Sequence, residues 1–173
     1  SPKLVLRQLI DCARTMLKEK PDRQAWLETH HKAKEASNSK IRARVDLVRD
    51  ARPIHPDFLG QEIVNFLDPS ATVIYDSFTG SAFITDKVKA KFAGQVLDSG
   101  TQAGVGHGVG MGIGAQLGRP GKQVFVMMGD GGLGIGGMDI ETAQRYNLPV
   151  VYLIYNNSSW ISNFREHFLP QLE

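Results

Sequence analysis

The fold class of this chain is clearest in Val124–Trp160, which has the sequence VFVMMGDGGLGIGGMDIETAQRYNLPVVYLIYNNSSW. It begins with an apolar run that predicts a buried strand, and this run ends at a Gly-Asp-Gly sequence. Met138–Tyr146 then predicts a helix, and Pro149–Tyr155 predicts a second buried strand that ends before two asparagines. A strand, a helix and a strand in this order indicate an α/β unit with parallel strands.

The same alternation of strands and helices extends back towards the N-terminus as far as Pro53. The predicted elements are a helix at His55–Leu67, a strand at Ala71–Tyr75, a short helix ending near Phe92, a strand at Gln95–Leu97 and a glycine-rich helix at Val105–Leu117. After Trp160 the apolar spacing predicts a helix at Ile161–Phe168. The predicted fold class is α/β, a mostly parallel sheet flanked by helices, and we expect it to be incomplete at the C-terminus.

Three segments of different character divide the chain. Residues 1–18 predict an amphipathic helix that begins at Ser1-Pro2 and carries Cys12 as a core residue on one face. Residues 19–52 are mostly polar, and we expect an exposed helix followed by a linker around residues 36–44. Residues 53–173 form the α/β domain, and we expect the whole chain to be one piece of a larger protein.

Composition excludes several classes of protein. The chain has 173 residues, of which 42% are hydrophobic, and this apolar content excludes extensive disorder. A single cysteine excludes a disulfide scaffold and fits a reducing compartment, so we expect a cytoplasmic protein. The net charge of +2 gives no reason to expect a nucleic-acid partner. No apolar run approaches the ~18 residues needed to span a membrane, so no membrane association is expected.

Glycine is distributed very unevenly along the chain. Fifteen of the 18 glycines lie between Gly100 and Gly137. Each glycine in a regular element costs about 0.5–1 kcal/mol relative to alanine, so this clustering does not serve stability. It indicates a ligand that the backbone itself must approach closely.

Two kinds of ligand compete to explain the glycines after the first strand of the deciding stretch. Gly129–Gly134 fits the G-x-G-x-x-G pattern of dinucleotide-binding turns, so a non-catalytic NAD- or nucleotide-binding module is one hypothesis. Two features count against it. Asp130 would place a carboxylate beside a pyrophosphate, and two asparagines stand where a ribose-binding acid belongs.

A divalent cation between the protein and a diphosphate removes both objections. Mg²⁺ prefers oxygen ligands, typically one or two carboxylates together with phosphates and water. Asp130 supplies a carboxylate and Asn157 an amide oxygen, and the ends of two parallel strands place them at one edge of the sheet. The second hypothesis is therefore a magnesium diphosphate site, in which glycine N–H groups reach the phosphate oxygens.

The Gly-Asp-Gly sequence, the 24 residues that follow it and the Asn-Asn pair resemble the thiamin diphosphate motif of the acetolactate synthase-like enzymes. This resemblance implies that the cofactors are thiamin diphosphate and Mg²⁺. By position, it implies that the Asp130 and Asn157 side chains and the Ser159 main-chain oxygen hold the metal. The residues that it places against the diphosphate are Gly129, Gly131 and Gly132.

The resemblance gives the second glycine cluster, Asp98–Gly118, a place beneath the rings of the cofactor. Val105 would wedge the cofactor into a bent shape, and the Ala103 carbonyl and the Val105 N–H would bind the pyrimidine edge. A loop after the first strand of the domain would lie against the diphosphate with Thr79, Gly80 and Ser81.

His107 is a candidate acid–base group, with a structural role as the alternative. Close helix packing is the expected role of Gly110, Gly112 and Gly114.

Within this family the chain looks most similar to 2-hydroxyacyl-CoA lyases and oxalyl-CoA decarboxylases. The segments that carry this likeness are DSGT at 98–101, GGMDIETAQRYNLPV at 136–150 and Trp160 after the asparagines. They imply a carbon–carbon lyase that cleaves a 2-hydroxyacyl-CoA into formyl-CoA and an aldehyde or ketone. An acetolactate synthase-like carboligase and a 2-oxoacid or oxalyl-CoA decarboxylase are the alternatives. Trp160, Phe164 and Phe168 are candidates for the substrate-facing wall.

The resemblance also implies parts of the enzyme that lie outside these residues. In the family, a glutamate from a separate domain of a neighbouring subunit activates the cofactor, and nothing in this sequence matches that domain. We therefore expect no activating glutamate in this chain, no activity from the chain alone, and completion of the site by further domains and a second subunit. The expected assembly is a homodimer or homotetramer that takes a small-molecule substrate, an acyl-CoA. Residues 1–18 resemble the last helix of the preceding, central domain.

Overall fold

The computed structural model describes residues 1–17 and 22–160 of the chain. The helix predicted at Ile161–Phe168, together with Phe164 and Phe168, lies outside these residues. Within the described ranges, no helix combines the length and the apolar character needed to cross a membrane.

Contacts between residues divide the chain into two compact units, Ser1–Arg42 and Ala43–Glu173. The chain begins with helix α1 at Pro2–Met16, which has Pro2 in its first turn, followed by helix α2 at Gln24–Leu47. The division predicted from the sequence, with boundaries after residues 18 and 52, stays a prediction.

Helices α1 and α2 correct two expectations. The segment at residues 36–44, expected to be a linker, lies inside α2, because it contains neither glycine nor proline and polar residues alone do not end a helix. Cys12, expected to be a core residue, is exposed, because α1 has no buried residue.

The second unit is an α/β domain. Its helices and strands are, in chain order, α3 at Pro56–Phe66, β1 at Thr72–Tyr75, α4 at Ala82–Thr85, β2 at Val96–Asp98, α5 at His107–Gly118, β3 at Val124–Gly129, α6 at Asp130–Gly136, α7 at Ile140–Arg145 and β4 at Val150–Tyr155. Single 3₁₀ turns precede α4, α5 and α7. The sequence did not predict α6, because four of its seven residues are glycines, which disfavour a helix.

The four strands form one parallel sheet in the order β2-β1-β3-β4, which confirms the predicted fold class. The connection from β1 leads outward to β2, and the connection from β3 leads outward in the opposite direction to β4. The order of the strands therefore reverses between β1 and β3. In open parallel sheets, ligands bind at the carboxyl ends of the strands beside such a reversal.

The core has two layers, one on each face of the sheet. Alternate residues of β1 and β3 point to opposite faces, and both strands are buried almost throughout. On one face, Val73, Tyr75, Phe125 and Met127 pack with Ile63 of α3 and Ile84 of α4. On the other face, Ile74, Val124, Val126 and Met128 pack with Val109 of α5. The central strands are thus fixed from both sides, which holds their carboxyl ends in place.

A buried ion-pair cluster lies outside the sheet, where the end of α2 meets α3 and the segment after α4. We call its members Arg44, Asp57, Asp86 and Lys87 the ion-pair cluster. Lys87 Nζ lies 2.8 Å from Asp57 Oδ1 and 2.9 Å from Asp86 Oδ1, and its side chain is 1% exposed. Arg44 Nη2 lies 2.7 Å from both Asp57 Oδ1 and Asp86 Oδ2. Two cations and two carboxylates therefore neutralise each other.

Candidate functional site

A cavity of about 330 Å³ lies at the carboxyl edge of the sheet. The segments after β1, β3 and β4 and the turn before α5 meet there, as expected for the reversal between β1 and β3. The lining residues are Ser77, Phe78, Thr79, Val105, Gly129, Asp130, Gly131, Gly132, Tyr155, Asn157, Ser159 and Trp160. Eight of the residues named from the sequence as cofactor or metal ligands are among them.

Asp130 and Asn157 reach the cavity because β3 and β4 end at the same level. Gly129 pairs with Tyr155 in the parallel register, so that Asp130 follows one strand end directly and Asn157 follows the other by one further residue. Adjacent strands lie about 4.8 Å apart. Among the described residues, no hydrogen bond or ion pair engages the Asp130 carboxylate. Asn157 Oδ1 accepts a hydrogen bond from the Ser159 N–H at 3.0 Å and keeps a second lone pair.

Three glycines at the end of β3 and the start of α6, Gly129, Gly131 and Gly132, leave little room for a side chain. A Cβ at Gly131 would lie 2.9 Å from the Trp160 ring, and a Cβ at Gly129 would lie 3.3 Å from Phe78 Cβ. Gly132 faces inward instead, where a Cβ would lie 3.0 Å from Asp76 Oδ2. The main chain of this segment is therefore close to the cavity surface on one side and to Asp76 on the other.

Besides Ser77, Phe78 and Tyr155 of the cavity lining, the sequence did not predict Asp76 at this edge of the sheet. It follows β1, and its side chain is fully buried. Its carboxylate accepts hydrogen bonds from the backbone N–H groups of Ser77 at 2.6 Å, Gly106 at 2.9 Å and Gly108 at 3.3 Å. An acidic residue at the carboxyl end of a buried strand was the available indication, since β3 ends in the same way with Asp130.

Residues 104–108, which we call the Val105 turn, are the part of the second glycine cluster that reaches the cavity. Val105 lines the cavity, whereas Ala103 is exposed and does not. His107 does not line it either: its Nδ1 lies beside the Gly104 carbonyl and 3.3 Å from Asp76 Oδ1. Its Nε2 is buried and has no hydrogen-bond partner among the described residues. In this arrangement the imidazole supports the turn.

The loop after β1 contributes in part as expected. Thr79 lines the cavity, but Gly80 and Ser81 do not. Gly80 is buried, and a Cβ there would overlap the Phe78 ring. The Ser81 hydroxyl donates to the Phe78 carbonyl at 2.8 Å. Both residues therefore shape the loop that brings Phe78 and Thr79 to the cavity.

Helix α5 packs closely on β3, but through a different set of glycines from the one expected. A Cβ at Gly108 would lie 3.1 Å from Val126 Cγ1, and one at Gly112 would lie 2.7 Å from Val126 Cγ2. Gly110 and Gly114 face open space, so the expectation was right for Gly112 and wrong for these two. Residues four apart share a helix face, and Gly108 and Gly112 occupy the face against the sheet.

The aromatic wall of the cavity is formed by Phe78, Tyr155 and Trp160. The rings of Phe78 and Tyr155 have centroids 6.0 Å apart. Burial raises the pKa of Tyr155, so its hydroxyl remains protonated at neutral pH. In the described part of the chain, no group of three or more His, Cys, Asp and Glu side chains gathers into a metal site.

Residues 80–166 match the model of the thiamine pyrophosphate enzyme C-terminal TPP binding domain. The chain belongs to this family. The match spans α4 to β4 and includes Val105, Asp130 and Asn157. It confirms the resemblance recognised from the Gly-Asp-Gly and Asn-Asn sequences and identifies thiamin diphosphate as the ligand of the domain.

Relatives of this thiamin diphosphate-binding domain include enzymes with different names. The acetolactate synthase large subunit IlvG of Mycobacterium tuberculosis is 33% identical over 139 residues, which are 80% of this chain and 25% of that protein. A 2-hydroxyacyl-CoA lyase of Oryza sativa subsp. japonica is 40% identical over 62 residues, 36% of this chain and 11% of that protein. The chain thus spans about a quarter of the length of the acetolactate synthase it matches.

Comparison with solved structures leads to the same family. A thiamine diphosphate-dependent 4-hydroxybenzoylformate decarboxylase of Rhodococcus jostii RHA1 superposes with a TM-score of 0.58 and 26% identity. The superposition covers 62% of this chain and 20% of that one. The parallel sheet and its flanking helices are therefore those of a thiamin diphosphate-binding fold.

Proposed function

We propose that this chain forms the diphosphate- and magnesium-binding part of a thiamin diphosphate-dependent enzyme that cleaves the carbon–carbon bond of a 2-hydroxyacyl-CoA. The observation that carries the proposal is the meeting of Asp130, Asn157 and a glycine main chain at one cavity beside the strand-order reversal. Thiamin diphosphate, when bound, supplies the electron sink that such bond cleavage needs. The chain's own residues bind and orient it.

The donor set of the cavity fits a magnesium diphosphate. Asp130 offers one carboxylate that is not engaged by other described residues, and Asn157 offers an amide oxygen with a lone pair to spare. One carboxylate and neutral oxygens are typical of sites in which phosphates and water complete the shell of Mg²⁺. The Ser159 main-chain oxygen is the proposed third protein ligand. Asp130 is thus a binding residue and neither the acid nor the base of the reaction.

The remaining site residues are assigned to the other parts of the cofactor. The main chain of Gly129, Gly131 and Gly132 would lie against the diphosphate, together with Thr79, which the loop shaped by Gly80 and Ser81 brings to the cavity. Val105 would hold the rings of the cofactor from below, and its N–H would bind the pyrimidine edge together with the carbonyl of Ala103, which lies outside the cavity lining in this structure. Phe78, Tyr155 and Trp160 supply the apolar wall of the cavity, and Trp160 is 64% exposed.

The reaction is assigned to 2-hydroxyacyl-CoA cleavage on the likeness of three segments, at 98–101, at 136–150 and at Trp160, to lyases of this kind. The lyase of Oryza sativa matches at the higher identity, although over a shorter stretch. Acetolactate synthesis is the second candidate, because the match to IlvG extends over 80% of this chain. Oxalyl-CoA or 2-oxoacid decarboxylation is the third, in line with the decarboxylase among the solved relatives.

The proposal includes partners. Further domains and a second subunit complete the site and supply the activating glutamate, in a homodimer or homotetramer. The substrate is a small molecule, an acyl-CoA, and neither nucleic acid nor a membrane takes part. The cytoplasmic location expected from the single cysteine stays a prediction.

Calorimetry on the full-length protein tests the cofactor site. Thiamin diphosphate is expected to bind with Mg²⁺ and to lose at least about tenfold in affinity in EDTA, since Asp130 and Asn157 would hold the cofactor through the metal. Asp130→Ala is expected to abolish binding. Asp139→Ala, which removes the same charge from an exposed residue outside the cavity, is the matched control and is expected to bind normally. Binding of NAD that survives EDTA, without binding of thiamin diphosphate, would refute the assignment.

Product analysis separates the candidate reactions. The loaded full-length protein is incubated in turn with a 2-hydroxyacyl-CoA, with oxalyl-CoA and with pyruvate. Aldehyde together with formyl-CoA supports the proposed lyase, whereas acetolactate from pyruvate supports the second candidate. Carbon dioxide from oxalyl-CoA with no cleavage of the 2-hydroxyacyl-CoA supports the third.

A further inference from the structure

We propose that Asp76 is a positioning residue that fixes the Val105 turn, residues 104–108, against the cavity. Asp76 is absent from the cavity lining, and it therefore acts through the turn and not by contact with the ligand. The inference rests on the proposed function only for the identity of that ligand. The way in which Asp76 holds the turn is independent of it.

Both oxygens of the Asp76 carboxylate are used to hold the main chain. Oδ1 accepts from the Ser77 N–H at 2.6 Å and from the Gly106 N–H at 2.9 Å. Oδ2 lies 3.0 Å from the same Gly106 nitrogen and 3.3 Å from the Gly108 nitrogen. Only a carboxylate presents two acceptors in this geometry. An asparagine in either orientation would turn an NH₂ group towards a backbone N–H.

The turn has no room to relax away from this carboxylate. Gly106 has a φ of +86°, and a Cβ there would lie 2.8 Å from Ile135 Cγ2 of α6. A Cβ at Gly136 would overlap the Gly106 carbonyl oxygen. On the side of the sheet, a Cβ at Gly108 would lie 3.2 Å from Asp76 Oδ2. The Val105 turn is therefore enclosed between α6 and Asp76, and its glycines allow that approach.

His107, which belongs to the turn itself, adds a side-chain contact to Asp76. Its Nδ1 faces two acceptors, the Gly104 carbonyl and Asp76 Oδ1, so this nitrogen carries a proton. The ring thereby connects the first residue of the turn to the same carboxylate that holds Gly106 and Gly108. Val105 lies in the middle of this set of bonds, with its side chain in the cavity.

Two measurements on the full-length protein test this role of Asp76, one of the mobility of the Val105 turn and one of the affinity for thiamin diphosphate. Hydrogen–deuterium exchange of peptides that span residues 104–108 reports on the turn. Titration with thiamin diphosphate at saturating Mg²⁺ reports on the ligand. Asp76→Asn is compared with Asp57→Asn, which removes the charge of a similarly buried aspartate in the ion-pair cluster, away from the cavity.

Asp76→Asn is expected to speed exchange of the turn, relative to β3, roughly tenfold and to weaken thiamin diphosphate binding by a similar factor. Asp57→Asn is expected to leave both within about twofold, since its partners lie outside the turn. Inorganic pyrophosphate with Mg²⁺ is expected to bind both variants like the wild type, because it does not reach Val105. Unchanged exchange in Asp76→Asn, or faster exchange with unchanged thiamin diphosphate affinity, overturns the proposal.

A measurement on the wild type keeps the inference testable if Asp76→Asn does not fold. The Gly106 and Gly108 amides are expected to be protected from exchange even without cofactor, because a buried carboxylate accepts from both. Exchange at the rate of a free turn would overturn the proposal without any variant. If the wild-type protein binds no thiamin diphosphate, the proposed function fails, and the exchange data alone decide whether Asp76 holds the turn.

Discussion

Asp57 and Asp76 are both buried in the same α/β domain, with exposures of 4% and 2%, but their charges are satisfied in different ways. Asp57 lies between two cations, Arg44 and Lys87, in the ion-pair cluster. Asp76 is held mainly by backbone N–H groups, with the His107 ring at 3.3 Å. A buried carboxylate needs such partners because burial without them costs several kcal/mol.

The two kinds of partner give the two aspartates different structural roles. A cation on a long side chain connects elements, and Lys87 and Arg44 join α2, α3 and the segment after α4 through Asp57. Backbone N–H groups belong to the path of the main chain, so a carboxylate that collects them fixes the shape of a turn. Asp57 therefore serves the assembly of the domain, and Asp76 serves the geometry at the cavity.

The largest expected effect comes from removing one cation of the ion-pair cluster. Lys87→Met leaves the buried Asp57 and the partly exposed Asp86 beside a single cation, Arg44, and we expect the free energy of unfolding to fall by about 3–5 kcal/mol. Chemical denaturation of the full-length protein measures it. Lys89→Met, on an exposed lysine two residues later, is the matched control and is expected to have little effect.

The double variant Asp57→Asn with Lys87→Met sharpens this result. Removing both charges of a buried pair costs less than leaving one of them unpaired, so we expect the double variant to be more stable than Lys87→Met alone. Additive losses would mean that the pair is not coupled, contrary to its 2.8 Å separation.

The second effect in size is the loss of stability in Asp76→Asn. An amide in place of the carboxylate leaves a buried backbone N–H without an acceptor, which costs about 1–3 kcal/mol. In the ion-pair cluster, removing the second charge of a pair restores part of the stability. We expect no such rescue of Asp76→Asn, because the partners of Asp76 are main-chain N–H groups, which a substitution does not remove. Denaturation of Asp76→Asn alone and combined with Lys87→Met tests the contrast. Equal losses in the two backgrounds are expected for independent sites, and strong coupling would contradict the separation of the two aspartates.

The sequence predicted the parts of the site that depend on neighbours in the chain. Asp130 comes directly after β3 and Asn157 two residues after the end of β4, so their place at a strand end was evident from the local pattern. Asp76 follows a strand in the same way, but its partners Gly106 and Gly108 lie 30 and 32 residues further along the chain. No local pattern shows which backbone N–H groups a carboxylate will collect.

Two other expectations from the sequence, one about a linker and one about helix packing, were wrong because tertiary contacts and helix propensity are not visible in a local pattern. Residues 36–44 are polar and were expected to be a linker, but exposed polar residues form helix readily when glycine and proline are absent. Gly110 and Gly114 were expected to pack closely, but the face of α5 that lies against β3 carries Gly108 and Gly112. Tertiary contacts with Val126 determine which face this is, and the spacing of the glycines does not.

The third effect is the dependence of stability on pH through Asp57. Burial raises the pKa of this carboxyl, but the hydrogen bonds from Arg44 and Lys87 outweigh burial and hold the pKa below its usual value. A carboxyl with a lowered folded-state pKa stabilises the fold above its unfolded pKa, about 3.9, and loses that contribution as the pH falls further. We expect the stability difference between wild type and Asp57→Asn to be constant at about pH 5–7 and to shrink below about pH 4. A difference that grows on acidification would contradict the lowered pKa.

The smallest expected effect is that of Asp86→Asn, at the solvent-facing side of the ion-pair cluster. The Asp86 side chain is 28% exposed and its partner Arg44 is 49% exposed, so water and salt screen their attraction. The other partner of Asp86, the buried Lys87, keeps its ion pair with Asp57 in this variant. We expect a loss of at most about 1 kcal/mol, which becomes smaller as salt is raised. Denaturation at low and high ionic strength measures it. A loss as large as that of Lys87→Met, and insensitive to salt, would show that Asp86 and not Asp57 is the principal partner of the buried lysine, which would move the comparison with Asp76 to a different residue.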